Sequence, residues 1–172
     1  MLTTKIEETL NNQIRIEAES SQIYLSMACY AETQGLEGIS NFMYKQSEEE
    51  RVHMLKLIKY VNERGGHAKI TDLKAPKTVF GTFKEMFEEL YKHELFVSNS
   101  INELVHITFT EKDYATHNFL QWYVAEQIEE EAQAKTILDK INLIGDDKGG
   151  LYLFDRDIQT LTVTSAAATN PV

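Results

Sequence analysis

Only two prolines, Pro76 and Pro171, occur in the 172 residues, where ordinary usage of about 5% would supply about eight or nine. Proline ends or kinks a helix, because it lacks the backbone donor and its ring clashes with the preceding turn. The stretches on either side of Pro76 are therefore free to form long uninterrupted helices, and their apolar residues recur at helical spacing. Ile6, Leu10, Tyr24, Ala28 and Ala31 share one stripe, and Ile39, Met43, Leu57 and Tyr60 a second. Phe83, Phe87, Leu90, Val97 and Ile101 form a third, and Leu120, Tyr123, Ala134, Ile137 and Ile141 a fourth.

Punctuation sets the boundaries. Thr4 with Glu7, Thr82 with Glu85 and Thr110 with Asp113 have the spacing of a capping box, which satisfies free donors at a helix start. Gly35, the pair Gly65-Gly66 and Gly145 fall where the periodic segments stop, as the left-handed closing residue of a helix prefers glycine. Together these signals predict helices over 5–33, 37–64, 82–109 and 111–143. One buried stripe per helix is the pattern of an all-α four-helix bundle.

The connections near 34–36 and at 110 are short enough only for antiparallel neighbours. The middle one, from Gly65 to Gly81, carries Pro76 and can reach about 56–60 Å when extended. A helix of this length spans about 42 Å, so the segment can run the whole length of the bundle. That predicts one long crossover between the second and third helices. Beyond Gly149-Gly150, the spacing of Leu151, Phe154, Ile158 and Leu161 predicts a short fifth helix over 149–161, whose apolar side would be buried against other subunits. Residues 163–172 read as a flexible tail, leaving a single domain over 1–162.

Hydrophobic residues at 42% and charged residues at 26% describe a folded globular chain. The longest apolar run is Met27 to Ala31, far short of the roughly 18 residues that a bilayer span needs, and no basic-then-apolar leader is recognisable. The expected location is the cytoplasm, with no membrane partner. Seventeen Lys and Arg against 27 Asp and Glu leave a formal charge of −10. Such a charge repels nucleic-acid phosphates and anionic lipid and attracts cations, so no nucleic-acid partner is expected. The one cysteine, Cys29, excludes a disulfide framework within the chain, and its apolar neighbours predict a buried structural thiol.

Carried through their middles, the apolar stripes are interrupted by Glu17, by Glu50 and His53, by Glu94, and by Gln127 and Glu130. Leu10, Glu17 and Tyr24 lie seven residues apart on one face, as do Met43, Glu50 and Leu57, Phe87, Glu94 and Ile101, and Leu120, Gln127 and Ala134. An isolated ionised carboxylate in a dry interior is costly and is normally paired, protonated or metal-bound. No Lys or Arg shares these stripes near the acids, which leaves captured cations as the economical answer. Each acid lies near mid-helix, so antiparallel packing would bring all four to one level. A polar core layer without metal would require four helices to accept the same costly interruption at matching depth. Carboxylates with one imidazole suit iron or manganese better than a closed zinc site, and Glu50 and His53, three residues apart, project to the same side.

These residues, with the runs Glu48-Glu49-Glu50-Arg51-Val52-His53, Tyr91-Lys92-His93-Glu94, Asn118 through Glu131 and Gly150-Leu151-Tyr152, give a chain that resembles the prokaryotic non-haem ferritins over nearly its whole length. The resemblance implies a ferritin-like fold with a ferroxidase centre. Glu17, Glu50 and His53 would hold a first iron, and Glu50 would bridge to a second held by Glu94 and Glu130. Gln127 would hydrogen-bond near the oxygen-binding face, and Tyr24 would hydrogen-bond at the centre and donate an electron. A third iron site would use Glu49, Glu126 and Glu129, sharing Glu130, while Glu48 and Glu131 remain surface charge. Trp122 reads as a core aromatic, and His67, His106 and His117 as surface or capping residues. Haem is not expected, because Arg51 and Glu130 occupy the places of the haem-binding methionine and last-helix histidine ligand of bacterioferritins.

The same resemblance implies an iron-storage ferroxidase. It would oxidise iron(II) with dioxygen or peroxide and deposit iron(III) oxide inside a hollow cage of twenty-four copies. A cage that buffers iron without catalysing its oxidation is the alternative. A di-iron oxygenase acting on an organic substrate would want an apolar pocket and a reductase partner, of which the sequence carries no sign.

Overall fold

The computed structural model describes residues 1–160, and the described residues form helices and connecting segments with no strand. The elements are α1 (Thr4–Thr33), α2 (Glu37–Glu63), α3 (Phe83–Thr110), α4 (Tyr114–Ile144) and α5 (Lys148–Ile158). The expected tail at 163–172, and Leu161 at the end of the expected fifth helix, lie outside the described residues. The chain divides into two compact segments, Met1–Phe80 and Gly81 onward. No helix among the described residues is long and apolar enough to cross a membrane.

In the first segment, the cap of α1 is Thr3, one residue ahead of the expected Thr4. Its backbone is extended, and its side chain accepts from Ile6 N at 3.4 Å. The helix closes on Gly35 at φ 75°, with Gly35 N donating to Glu32 O at 3.0 Å and Leu36 N to Ala31 O at 3.1 Å. Glycine takes this left-handed conformation without steric cost. The chain then returns antiparallel as α2: Tyr44 meets Glu32, Ser47 meets Ser21, and Glu50 lies beside Glu17, so partner numbers rise on α2 as they fall on α1. Ile6, Leu10, Tyr24, Ala28, Ala31, Ile39, Met43 and Leu57 are fully buried. Tyr60 is half-buried, and its hydroxyl accepts from Arg64 Nη1 at 2.7 Å.

The long crossover is tied along α1. Asn11 Nδ2 donates to His67 O at 3.0 Å, and Lys69 N donates to Asn11 Oδ1 at 2.7 Å. Further along, Ser26 Oγ donates to Lys77 O at 2.6 Å, and buried Phe80 meets the ring of Tyr30 edge-on at 5.5 Å. Asn11 and Tyr30 are about 28 Å apart along the helix axis, so the segment runs along most of α1.

Cys29 corrects the sequence reading, for it is exposed. The apolar run around it is longer than one helical turn of about 3.6 residues, so it covers every face. Met27, Ala28 and Ala31 turn inward, while Cys29 stands 4.0 Å from the Tyr44 hydroxyl. Tyr44 donates to Glu32 Oε2 at 2.8 Å, and that bond, followed by the Cys29 contact, pushes its phenol up to about 12.

In the second segment, Thr82 and Glu85 form the expected capping box: Glu85 N donates to Thr82 Oγ1 at 3.2 Å and Thr82 N to Glu85 Oε2 at 2.7 Å. Thr110 and Asp113 do not form one. Thr110 ends α3 and donates back to His106 O at 2.9 Å, while Asp113 caps α4 alone, accepting from Thr116 N at 3.1 Å. The fourth helix accordingly starts at Tyr114, later than residue 111. α3 and α4 are antiparallel, with Glu94 beside Gln127 and Phe109 beside His117. Asp147 caps α5 by accepting from Gly150 N at 2.6 Å, which places both glycines of the pair inside the first turn. The inner side of α5 is seated on its own chain, not left for a neighbour: Phe154 meets Phe87 edge-on at 6.1 Å, and Ile158 is fully buried.

Candidate metal centre

Glu17 on α1, with Glu50 and His53 one turn apart on α2, are 1%, 2% and 3% exposed. Each offers a ligand atom, and the three atoms lie within 4.8 Å of one another. His53 Nδ1 is 3.2 Å from Glu50 Oε2. Gln13 Nε2 donates to Glu17 Oε1 at 2.9 Å, whereas Glu17 Oε2 has no hydrogen-bond partner among the described residues. Burial, and next the charge of Glu50, hold the Glu17 carboxyl well above the usual range; His53 and the Gln13 hydrogen bond pull the other way.

This arrangement fits a divalent cation. A cation beside Glu17 would give its bare oxygen a partner and offset the repulsion from Glu50. Two carboxylates with one imidazole suit a first-row ion such as iron(II), with no soft sulfur to favour other metals.

In the second segment, Glu94 on α3 is 1% exposed, and Gln127 on α4 reaches across to it. Gln127 Nε2 lies 3.2 Å from Glu94 Oε2, 3.4 Å from Glu94 O and 3.3 Å from Ser98 Oγ. An amide nitrogen carries two protons, so these contacts hold the Glu94 carboxylate and its helix against α4. Glu126, Gln127 and Glu130 are buried on α4, and Glu129 is half-buried. Glu49 is half-buried on α2, Glu48 is exposed, and Glu131 is half-buried. Tyr24 is fully buried on α1, two turns beyond Glu17. Trp122 is half-buried and meets Tyr123 edge-on at 4.8 Å. His67 and His106 are exposed, and the His117 ring lies tilted at 55° to that of Phe109 at the end of α3, 5.8 Å between centres.

Sequence reasoning missed Gln13 and Ser98. Gln13 stands one turn before Glu17 and could have been found from that spacing. Ser98, one turn after Glu94, gives no comparable signal, because a serine inside a helix is unremarkable until its partner is known.

A family model described as "Ferritin-like domain" matches residues 7–144. A probable bacterial non-heme ferritin-like protein of Haemophilus influenzae is 44% identical over 162 residues, covering 94% of this chain and 98% of the relative. The bacterial non-heme ferritin of Campylobacter jejuni is 42% identical, covering 95% of this chain and 98% of its own length. Among solved structures, an open pore ferritin from the hyperthermophilic archaeon Archaeoglobus fulgidus superposes with a TM-score of 0.91 at 45% identity, over 92% of this chain and 98% of the other.

Proposed function

The chain belongs to the ferritin family, and from that premise we propose that it stores and detoxifies iron by oxidising iron(II) and depositing iron(III) oxide within a cage. Its fold class is the all-α, ferritin-like four-helix bundle with a short fifth helix. The observation that carries the functional reading is the buried group of Glu17, Glu50 and His53, whose ligand atoms converge while burial and the charge of Glu50 hold the Glu17 carboxyl above its ordinary range.

In this reading Glu17, Glu50 and His53 hold one iron(II), Glu50 is shared with a second, and Glu94 and Glu130 complete that second position. Each iron(II) gives one electron, so a pair reduces dioxygen to peroxide, or peroxide to water. Iron is the substrate and leaves as iron(III), which hydrolyses to mineral and releases protons. In the same reading Gln127 keeps Glu94 oriented, and Tyr24 donates one further electron to the same oxidant. Glu49, Glu126 and Glu129, with Glu130, form a third iron position. The formal charge of −10 draws cations toward the protein. The chain forms a single domain over 1–162, assembles as a homo-oligomer of twenty-four copies, works in the cytoplasm, and needs no haem.

Stopped-flow absorbance after mixing iron(II) with iron-free protein in air tests this reading. The expected result is a fast iron(III) signal that Glu50→Ala and His53→Ala both abolish. Rates unchanged in both variants would favour a cage that only buffers iron, and a monomer or dimer on a sizing column would remove the storage role.

A further inference from the structure

α1 and α2 are joined near the candidate centre by a reciprocal pair of bonds between short side chains and backbone. Ser21 Oγ donates to Ser47 O at 2.8 Å, and Ser47 Oγ donates to Ser21 O at 2.7 Å. A hydroxyl has one proton to give, and each is already directed at a carbonyl. The 3.1 Å separation of the two hydroxyl oxygens is therefore a contact enforced by the pair. Ser47 is buried and Ser21 half-buried.

Such a clasp fixes two quantities at once. A one-carbon arm reaches the carbonyl of a neighbouring helix only when the backbones approach closely, so the separation is set. Each hydroxyl also meets one particular carbonyl, so the axial register is set. Glu17 lies four residues back along α1 from the clasp, and Glu50 three residues forward along α2. Because the helices are antiparallel, both steps lead the same way, and both cover about one turn.

Register matters at this site because the tolerance is narrow. Sliding one helix by a single residue displaces its ligand by about 1.5 Å, whereas metal–ligand distances tolerate about 0.2 Å. We propose that Ser21 and Ser47 are positioning residues of the metal centre, their clasp setting the separation and register at which Glu17 and Glu50 meet one cation. This assignment rests on reading Glu17, Glu50 and His53 as metal ligands, and it adds two residues that ligate nothing themselves.

The test is a visible-absorption titration of cobalt(II) into the iron-free, full-length assembled protein, with urea unfolding midpoints measured alongside. Wild type is compared with the double variant Ser21→Ala/Ser47→Ala, with Glu50→Ala, and with Asn11→Ala. Asn11 stabilises the same segment through the crossover and touches no ligand. The double variant is expected to bind cobalt(II) about tenfold more weakly, with an altered band, while Asn11→Ala loses stability yet binds as wild type does. Unchanged affinity and spectrum in the double variant, or equal weakening in Asn11→Ala, would overturn the assignment. If the double variant does not assemble, Ser47→Ala alone is read by the same criteria, with a smaller shift in the same direction. Failure of the underlying reading has a different signature: wild type then takes up no cobalt(II) that Glu50→Ala abolishes, and both ideas fall together.

Discussion

Gln13 donates to one oxygen of Glu17 at 2.9 Å, while the other oxygen of that buried carboxylate has no hydrogen-bond partner among the described residues. One oxygen of the carboxylate is thus served by an amide and the other is not, and burial with the charge of Glu50 raises the acid well above its ordinary range. The consequence for stability has a definite sign. Between the ordinary glutamate range and the raised value, the folded chain holds a proton that the unfolded chain has lost, so stability falls as pH rises through that window and levels off above it. Urea midpoints of the iron-free protein from about pH 4.5 to pH 8 should show this fall, and Glu17→Gln should flatten it. Parallel profiles for the two proteins would mean that Glu17 is not the group responsible.

Gln127 directs its amide at Glu94 and Ser98 together, so it restrains the carboxylate while adding no charge of its own. Leucine at this position would keep the bulk and remove the donor, so Glu94 would lose this restraint. Groups that orient metal ligands are typically worth about 10–100-fold in affinity or activity. On the proposed reading, in which Glu94 holds iron, Gln127→Leu is expected to slow iron(II) oxidation in air by about tenfold or more while leaving the helical content measured by circular dichroism unchanged. Ser98→Ala, which removes a neighbour of the amide but not its bond to Glu94, should cost less.

What the sequence makes legible follows from what it costs to be wrong. Glu17, Glu50 and Glu94 stand out because an ionisable group on an apolar stripe breaks a seven-residue rhythm that nothing else explains. Gln13, Ser21, Ser47 and Ser98 are silent, since small uncharged polar residues are common on helices and declare their role only through a partner on another element. Helix ends show the same contrast. Gly35 announces its turn, whereas Lys112 makes an equivalent turn with no glycine to mark it, and Thr110 and Asp113 then imitate a capping box across the break. The exposure of Cys29 is illegible in the sequence because a run of apolar neighbours says nothing about direction unless it is shorter than a turn.

Asn11 uses both ends of its amide on the crossover, donating to His67 O at 3.0 Å and accepting from Lys69 N at 2.7 Å. These two bonds tether the beginning of a segment that contributes Phe80 to the core at its far end. At about 0.5–1.5 kcal/mol for each net hydrogen bond, Asn11→Ala should lower stability by about 1–3 kcal/mol. Amide hydrogen exchange should accelerate at residues 67–69 and much less at Phe80. Uniform acceleration along the whole crossover would show that its two ends are released together.

Lys112 follows α3 as Gly35 follows α1, at φ 57° against 75°, and the hydrogen bonds match in kind. Lys112 N donates to Phe109 O at 3.1 Å and Asp113 N to Thr108 O at 2.9 Å. A side chain in this left-handed conformation costs about 1–2 kcal/mol. Glycine would relieve that strain but bring about 0.5–1 kcal/mol of extra unfolded-state entropy. Lys112→Gly should therefore raise the urea midpoint by an amount equivalent to about 0.5–1 kcal/mol. Lys112→Ala separates strain from charge: it removes the same ammonium but keeps the β-carbon, so it should give no such gain. Equal stabilisation by alanine and glycine would assign the effect to the lost charge, and the left-handed turn would then carry no measurable strain.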